Sequence, residues 1–238
     1  MSRYTSPVKP MGLGKCPQES LTILICCASY GSMREYGSKS LLPIYGEFLL
    51  SRQISTLKAQ FPFSDIWLVL GFEADLIFRV FSEYKTVENE RFDETNVIRS
   101  AGIALKCIKS NNILFVYGDT FFTGDALSKI ESSSCTLFTE EVSDNVGCTG
   151  DSYITNFAYG VDNKWGQLFY LEGTALESFK KLCLDRQNSR MLGFEGLNEI
   201  ILNGAQIKKI ESPKNSIVEI SEPKDVWKCE SLLLGAAQ

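Results

Sequence analysis

At 238 residues with 44% apolar side chains, the chain is long enough for one sizeable core, or at most two small domains. A formal charge of −5 and a pI near 5.0 exclude a broad basic face of the kind that neutralises a nucleic-acid backbone, although local cation pairs can still grip one triphosphate. Histidine is absent, which removes Ser-His-Asp and Cys-His nucleophilic machinery and imidazole-based zinc sites and leaves carboxylates, Lys, Arg and a hard metal such as Mg²⁺.

The eight cysteines form no CxxC pair and no metal-like spacing, and Cys26, Cys27 and Cys107 sit in apolar runs where a free thiol packs as a small hydrophobe. That usage fits a reducing, cytoplasmic setting. No apolar stretch reaches the length of a membrane span, so no membrane partner is expected. Residues 1–18, with Pro7, Pro10, Gly12, Gly14 and Pro17, lack the apolar core of a signal peptide and read as a flexible tail before a single domain over 19–238.

In chain order, the apolar run 21–27 reads as a buried first strand, and it empties into the small-residue loop Ala28-Ser29-Tyr30-Gly31-Ser32-Met33-Arg34. Such a loop presents several backbone N–H groups to one concavity, a nest suited to phosphate oxygens, with Arg34 and Lys39 following as cations. Leu50, Ile54, Leu57 and Phe61 trace a helix face, 65–71 a strand, and Leu76, Ile77, Val80, Phe81 and Tyr84 a second helix stripe. A short strand at 86–88 precedes a helix face at Val97, Ala101, Leu105 and Ile108, with Thr95 as its expected N-cap. The next strand, 113–119, delivers the carboxylate of Asp119 at its C-terminal end, where open α/β sheets bind ligands. Together the loop, the cations and this carboxylate outline a metal-nucleotide site.

A helix over 124–132 and a strand over 135–141 complete the first pattern of stacked strand-helix units, which predicts a mostly parallel sheet flanked by helices. Residues 152–161 and 165–172 then alternate like an antiparallel hairpin joined by the turn-like Asp162-Asn163-Lys164. Helices over 174–184 and 194–202, strands near 206–210 and 216–220, and a last helix over 223–233 end the count. Neither a linker nor an internal repeat interrupts it.

Ala28-Ser29-Tyr30-Gly31-Ser32-Met33-Arg34, Lys39-Ser40-Leu41-Leu42-Pro43-Ile44, Gly71-Phe72-Glu73, Phe92-Asp93-Glu94-Thr95-Asn96 with Ser100, Gly118-Asp119, and Ile217-Val218-Glu219-Ile220-Ser221-Glu222-Pro223-Lys224-Asp225 follow one another in an order that resembles the sugar-phosphate nucleotidyltransferases. The cytidylyltransferases of small phosphates look closest, through the threonine-asparagine pair and the Glu-Ile segment. The resemblance implies a GT-A-like, Rossmann-like α/β fold with a mixed, mostly parallel sheet, and Mg²⁺-dependent transfer of a nucleoside monophosphate from a triphosphate, CTP or UTP favoured, to a phosphorylated sugar or small alcohol. A homo-oligomer is compatible with it. It implies that Arg34 holds the β- and γ-phosphates and that Lys39 bridges the α-phosphate and the incoming phosphate. Asp119 would bind the metal with Glu219 or Ser221, while Ala28, Ser29, Tyr30, Gly31, Ser32, Gly71, Asn96, Ser100 and Gly118 would contact nucleotide.

The departures are specific. Ser29 and Tyr30 stand where the family loop carries glycine, Met33 looks like an insertion, Ser38 replaces the usual proline, and Ser221 replaces an aspartate that serves as second metal ligand. Two other readings therefore stay open: a non-catalytic relative that binds nucleotide or nucleotide-sugar, and a glycosyltransferase of similar fold, whose Asp-x-Asp signature is replaced here by Gly118-Asp119-Thr120.

Overall fold

The computed structural model describes residues 21–130, 133–139 and 145–235. The first half runs β1 (Thr22–Cys26), two 3-10 turns at Gly31–Tyr36 and Lys39–Leu41, β2 (Pro43–Ile44), β3 (Glu47–Phe48), α1 (Leu49–Gln60), β4 (Asp65–Leu70), α2 (Ala74–Val80), β5 (Lys85–Glu88), α3 (Val97–Leu105), β6 (Asn112–Tyr117), β7 (Thr120–Phe122) and α4 (Gly124–Leu127). The second half runs β8 (Cys135–Thr139), β9 (Val146–Thr149), β10 (Asn156–Tyr159), β11 (Lys164–Glu172), α5 (Gly173–Leu184), a 3-10 turn at Arg186–Asn188, α6 (Gly193–Leu202), β12 (Lys208–Glu211), β13 (Ile217–Glu219) and α7 (Pro223–Gly235). The expected tail, and the expected ends of the 124–132 helix and the 135–141 strand, fall on or run into residues outside the described ones.

The main sheet has seven strands in the order β12-β8-β11-β6-β1-β4-β5, and β11 alone runs against its neighbours. Its middle strand is β6, and β1 lies beside it, paired in parallel with β6 on one side and β4 on the other. Alternation of side chains along a strand sends Ile23 and Ile25 to one face and Leu24 to the other. Leu50, Ile54 and Leu57 of α1 and Ile77 of α2 close the first face, and Ile98 and Ala101 of α3, Leu176 and Phe179 of α5 and Leu197 of α6 close the second. Burial on both faces is why the strands read as unbroken apolar runs. α1 stops at Phe61 because the following Pro62 disfavours helical geometry in the residue before it, and Phe61 takes φ −128° and ψ 70°.

The mixed α/β architecture agrees with the sequence reading, but the strand pairing in the second half does not. Residues 165–172 do not pair with 152–161: β11 lies between β6 and β8, and β10 forms its hairpin with β9. β11 is buried along most of its length, the condition of a central strand, and its apparent alternation gave no hint of that. The turn between them belongs elsewhere too. Asn163 accepts the Cys148 N–H at 2.8 Å and donates to the Cys148 carbonyl at 3.0 Å, fastening the segment to β9. The N-cap position of α3 falls on Asn96, while the Thr95 hydroxyl donates to the Arg91 carbonyl at 2.6 Å.

A third apolar cluster sits beyond the end of the sheet. Met33, Leu42, Ile44 and Leu49 pack with Phe121, Val218, Ile220 and Cys229, tying the loop after β1 to the small β7–β13 pair and to α7. Met33 is thus an anchor: its burial fixes the loop.

On the second face of the sheet α3 packs closely on α5, where a Cβ on Gly102 would stand 2.1 Å from the Cys183 carbonyl oxygen. Gly102→Ala is expected to lower the free energy of unfolding by about 2 kcal/mol, the range of an overpacked core, through displacement of α5. Urea denaturation checks this, and a variant as stable as the parent would mean that α3 and α5 are not held this close.

Candidate functional site

The C-terminal ends of β1 and β6 meet at one point. The Gly118 N–H donates to the Cys26 carbonyl at 2.9 Å, and a Cβ on Gly118 would stand 2.8 Å from that oxygen and 3.0 Å from the Cys27 Cα, so only glycine lets the chain turn here. The turn sets Asp119 opposite the loop. Gln53, fully buried on α1, donates to the carbonyls of Tyr117 at 2.8 Å and Thr120 at 2.6 Å and so clamps both sides of it.

The Lys39 ammonium reaches Asp119 Oδ2 at 3.0 Å with a side chain only 7% exposed. Three features place it. Glu73, the left-handed residue before α2, accepts the Ser38 N–H at 2.7 Å; the Ser40 hydroxyl faces the Gly118 carbonyl; and Gly31, at φ +56°, leaves open the space in which a Cβ would approach the ammonium to 2.7 Å. Gly31 thereby serves the lysine, and its N–H is taken by the Ser29 hydroxyl at 3.1 Å.

A cleft of about 320 Å³ opens from this pair. Ala28, Ser29, Lys39, Asn96, Ser100, Gly118, Asp119 and Glu219 all line it, so the structure brings these sequence-selected residues together. Gly71 stands behind, packed so closely that a Cβ would meet the Ala28 carbonyl oxygen at 2.7 Å. Ser100 is buried and receives a hydrogen bond from Asn89, and the Asn96 amide donates to the Arg190 carbonyl. Tyr30, Gly31, Ser32, Arg34 and Ser221 lie outside the lining. The Arg34 guanidinium stacks 4.9 Å from the Tyr30 ring centre and 6.0 Å from that of Phe72, in a cluster completed by Phe92 at the cleft wall. At Ser221 the backbone is engaged on both sides: its carbonyl accepts the Ser32 hydroxyl at 2.6 Å and its N–H donates to Asp225 at 2.9 Å.

Several cleft residues escaped the sequence reading. Lys164, read as a turn residue, pairs with Glu219 at 3.4 Å, so two carboxylates and two lysines share the cleft. Gln167, left-handed at φ +58° where the β11–β8 register shifts, accepts from the Thr120 hydroxyl at 3.0 Å; a bulge beside a site re-aims such a side chain. Tyr117, Trp165, Tyr159 and Phe194 form the aromatic end. Burial pushes the Tyr117 phenol well above its ordinary value, with the charges of Asp119 and Glu219 adding. No local pattern marks these residues, because they come from β6, β10, β11 and α6.

The charged groups suit a ligand that carries both anionic oxygens and a hard cation. Among the described residues no three His, Cys, Asp or Glu side chains converge as a metal cage. Asp119 and Glu219 both line the cleft, and one or two protein carboxylates are the usual protein share of an Mg²⁺ shell that phosphates and water complete.

The architecture is one shared with solved nucleotidyltransferase structures, a likeness of fold. No protein-family model matches the chain and no curated protein matches it in sequence. Solved structures do. The CTP:phosphocholine cytidylyltransferase of Streptococcus pneumoniae is similar at a TM-score of 0.72 and 16% identity over 90% of this chain and 99% of that one. The inositol-1-phosphate CTP transferase of T. maritima gives 0.72 and 14% over 88% and 94%, and HddC of Yersinia pseudotuberculosis, complexed with GMP-PN, gives 0.66 and 16% over 89% and 99%. The chain therefore has the fold that its motifs resemble.

Cys27, in the cleft wall, is pushed up to about 12 by burial, with the Ser40 hydroxyl pulling it down and the Asp119 charge adding to the rise. A thiol raised in the fold keeps its proton there while the unfolded chain loses it, so stability is full below pH 9.0 and falls toward about pH 12. The slope per thiol is up to about 1.4 kcal/mol per pH unit. Cys27→Ala is expected to flatten the alkaline fall of melting temperature relative to the parent; parallel curves would show that this thiol is not buried as described.

Proposed function

We propose that the chain transfers a nucleoside monophosphate from a nucleoside triphosphate, CTP or UTP favoured, to a phosphorylated sugar or small alcohol and releases pyrophosphate. The observation that carries this reading is the Lys39–Asp119 pair at the junction of β1 and β6, a buried lysine beside a partly open carboxylate, which faces one cleft together with the start of the loop after β1. The fold shared with enzymes named for such transfers supports it.

The chemistry asks little covalent work of the protein, and positioning with charge neutralisation does most of it. Asp119 and Glu219 would hold Mg²⁺, which supplies neutralisation of phosphate charge and orientation of the triphosphate when bound. Lys39 and Lys164 are each held by a carboxylate in the free protein. When phosphates enter, they offer these ammonium groups stronger partners, and Lys39 would sit between the α-phosphate and the attacking phosphate oxygen. Ala28 and Ser29 meet the nucleotide by backbone, with Gly71 letting that loop pack close; Asn96, Ser100 and Gly118 face the same ligand. The acceptor takes the aromatic end, between Tyr159, Trp165 and Phe194. Arg34 would reach the β- and γ-phosphates only by leaving its Tyr30 platform.

That placement of Arg34, with Ser221 bound through its backbone, favours one second reading: a relative that binds nucleotide without turning it over. Pyrophosphate release on mixing triphosphate, acceptor phosphate and Mg²⁺ separates the two.

Asp119→Asn, which keeps shape and removes charge, is expected to lower the rate at least about 100-fold while the melting curve still reports a folded protein. An active variant with unchanged Mg²⁺ dependence would refute the metal assignment. Lys39→Ala is expected to cut kcat by about 100-fold or more with a smaller change in triphosphate affinity, because its charge matters most where charge develops. The reverse split, weak binding at an intact saturated rate, would assign Lys39 to ground-state binding alone.

A further inference from the structure

A second concavity, of about 270 Å³, lies behind the cleft and is lined by Arg91, Arg99, Arg186 and Arg190 with Glu94, Thr95 and Ser189. Half of the chain's arginines thus meet at one place, the others being Arg3, Arg34, Arg52 and Arg79, in a protein whose net charge is −5. Like charges separate on a protein surface unless something offsets them. Glu94 is the single carboxylate in the lining; it pairs with Arg91 and feels the charge of Arg190, while Asp93, outside the lining, also acts on Arg91, so both carboxylates are spent chiefly at Arg91 and leave Arg99 and Arg186 without a carboxylate in the lining of their own.

The scaffold around them is fixed rather than loose. Arg99 is half-buried on the first turn of α3, whereas Arg186, which opens the turn after α5, and Arg190, just past that turn, are exposed and reach the concavity from a backbone that is held in place. The two parts are stitched together by the Asn96 N–H to the Ser189 carbonyl at 2.9 Å and the Asn96 amide to the Arg190 carbonyl at 2.8 Å. On the other side, buried Asn89 donates to the Thr95 hydroxyl at 3.0 Å and to the Ser100 hydroxyl at 3.1 Å, and Thr95 donates to the Arg91 carbonyl. Thr95 lines both concavities, so one hydrogen-bonded wall separates them.

The geometry points to a second anion site, distinct from the nucleotide cleft, that takes a compact phosphate-bearing anion through the forked donors of Arg99, Arg186 and Arg190. Guanidinium groups bind phosphate oxygens bidentately and stay charged at every working pH, which is why arginine rather than lysine fills the lining. The site does not depend on the proposed reaction: it would bind its anion whether or not the cleft turns over a nucleotide.

Inorganic pyrophosphate is the probe, titrated calorimetrically into the parent, into Lys39→Ala, and into the double variant R99Q/R186Q, each with and without saturating CTP. Parent and Lys39→Ala are expected to keep a pyrophosphate site that CTP does not displace, and R99Q/R186Q to weaken that site by about tenfold or more while its melting temperature and CTP binding stay those of the parent. Arms with orthophosphate and with glycerol 3-phosphate separate a free inorganic anion from the phosphate of an organic molecule. Should R99Q/R186Q misfold, Arg186→Lys replaces it and is expected to weaken the same site through loss of the fork. Identical isotherms in parent and folded arginine variants, or pyrophosphate binding wholly displaced by CTP, would overturn the proposal; absence of CTP binding alone would count against the proposed function and not against this site.

Discussion

The close approach of β6 to β1 at Gly118 governs everything around the cleft. Two parallel strands side by side would end in unrelated loops if their last residues could not touch. Here the Gly118 N–H closes on the Cys26 carbonyl, and the absent Cβ leaves room for Cys27. Asp119 is consequently carried over the loop after β1 and into reach of Lys39, and the Ile220 N–H bonds the Asp119 carbonyl at 2.8 Å, which brings Glu219 to the same edge. A residue with a side chain at 118 would push these groups apart together.

The cleft holds its charges in pairs rather than singly. A buried lysine with no counter-charge is expensive, and a carboxylate next to it offsets much of that expense. Lys39 with Asp119, and Lys164 with Glu219, satisfy this in the free protein while leaving all four groups facing the ligand space. On the proposed function, a ligand that brings phosphate and a divalent cation would offer each member of both pairs a new partner.

Support for the site comes from residues with no chemistry of their own. Gln53 clamps the turn at Asp119, Glu73 fixes the segment that carries Lys39, and Met33 anchors the loop in the third apolar cluster. Met33 and Tyr30 are also two of the points at which the chain departs from the motif it resembles. With its side chain turned inward, the neighbouring Arg34 faces out and stacks on Tyr30, a ring that stands where the family carries glycine.

The sequence by itself determined the order of the long strands and helices and the places where β1 and β6 give way to Ala28 and Asp119, because apolar runs and glycine positions are local properties that burial and backbone sterics enforce directly. Lys39, Asn96 and Ser100 joined them through the motif resemblance, and the short strands β2, β3, β7 and β9 carried no such signal. Only the tertiary structure decided that β11 lies between β6 and β8 instead of folding back on 152–161, since alternation within a strand does not encode which neighbour it meets. The same holds for Lys164, Tyr117 and Gln167 at the cleft and for the four arginines behind it, which come from segments far apart in the chain. Partners of that kind are chosen by packing and by the need to offset buried charge, and both act between residues whose sequence separation carries no signal.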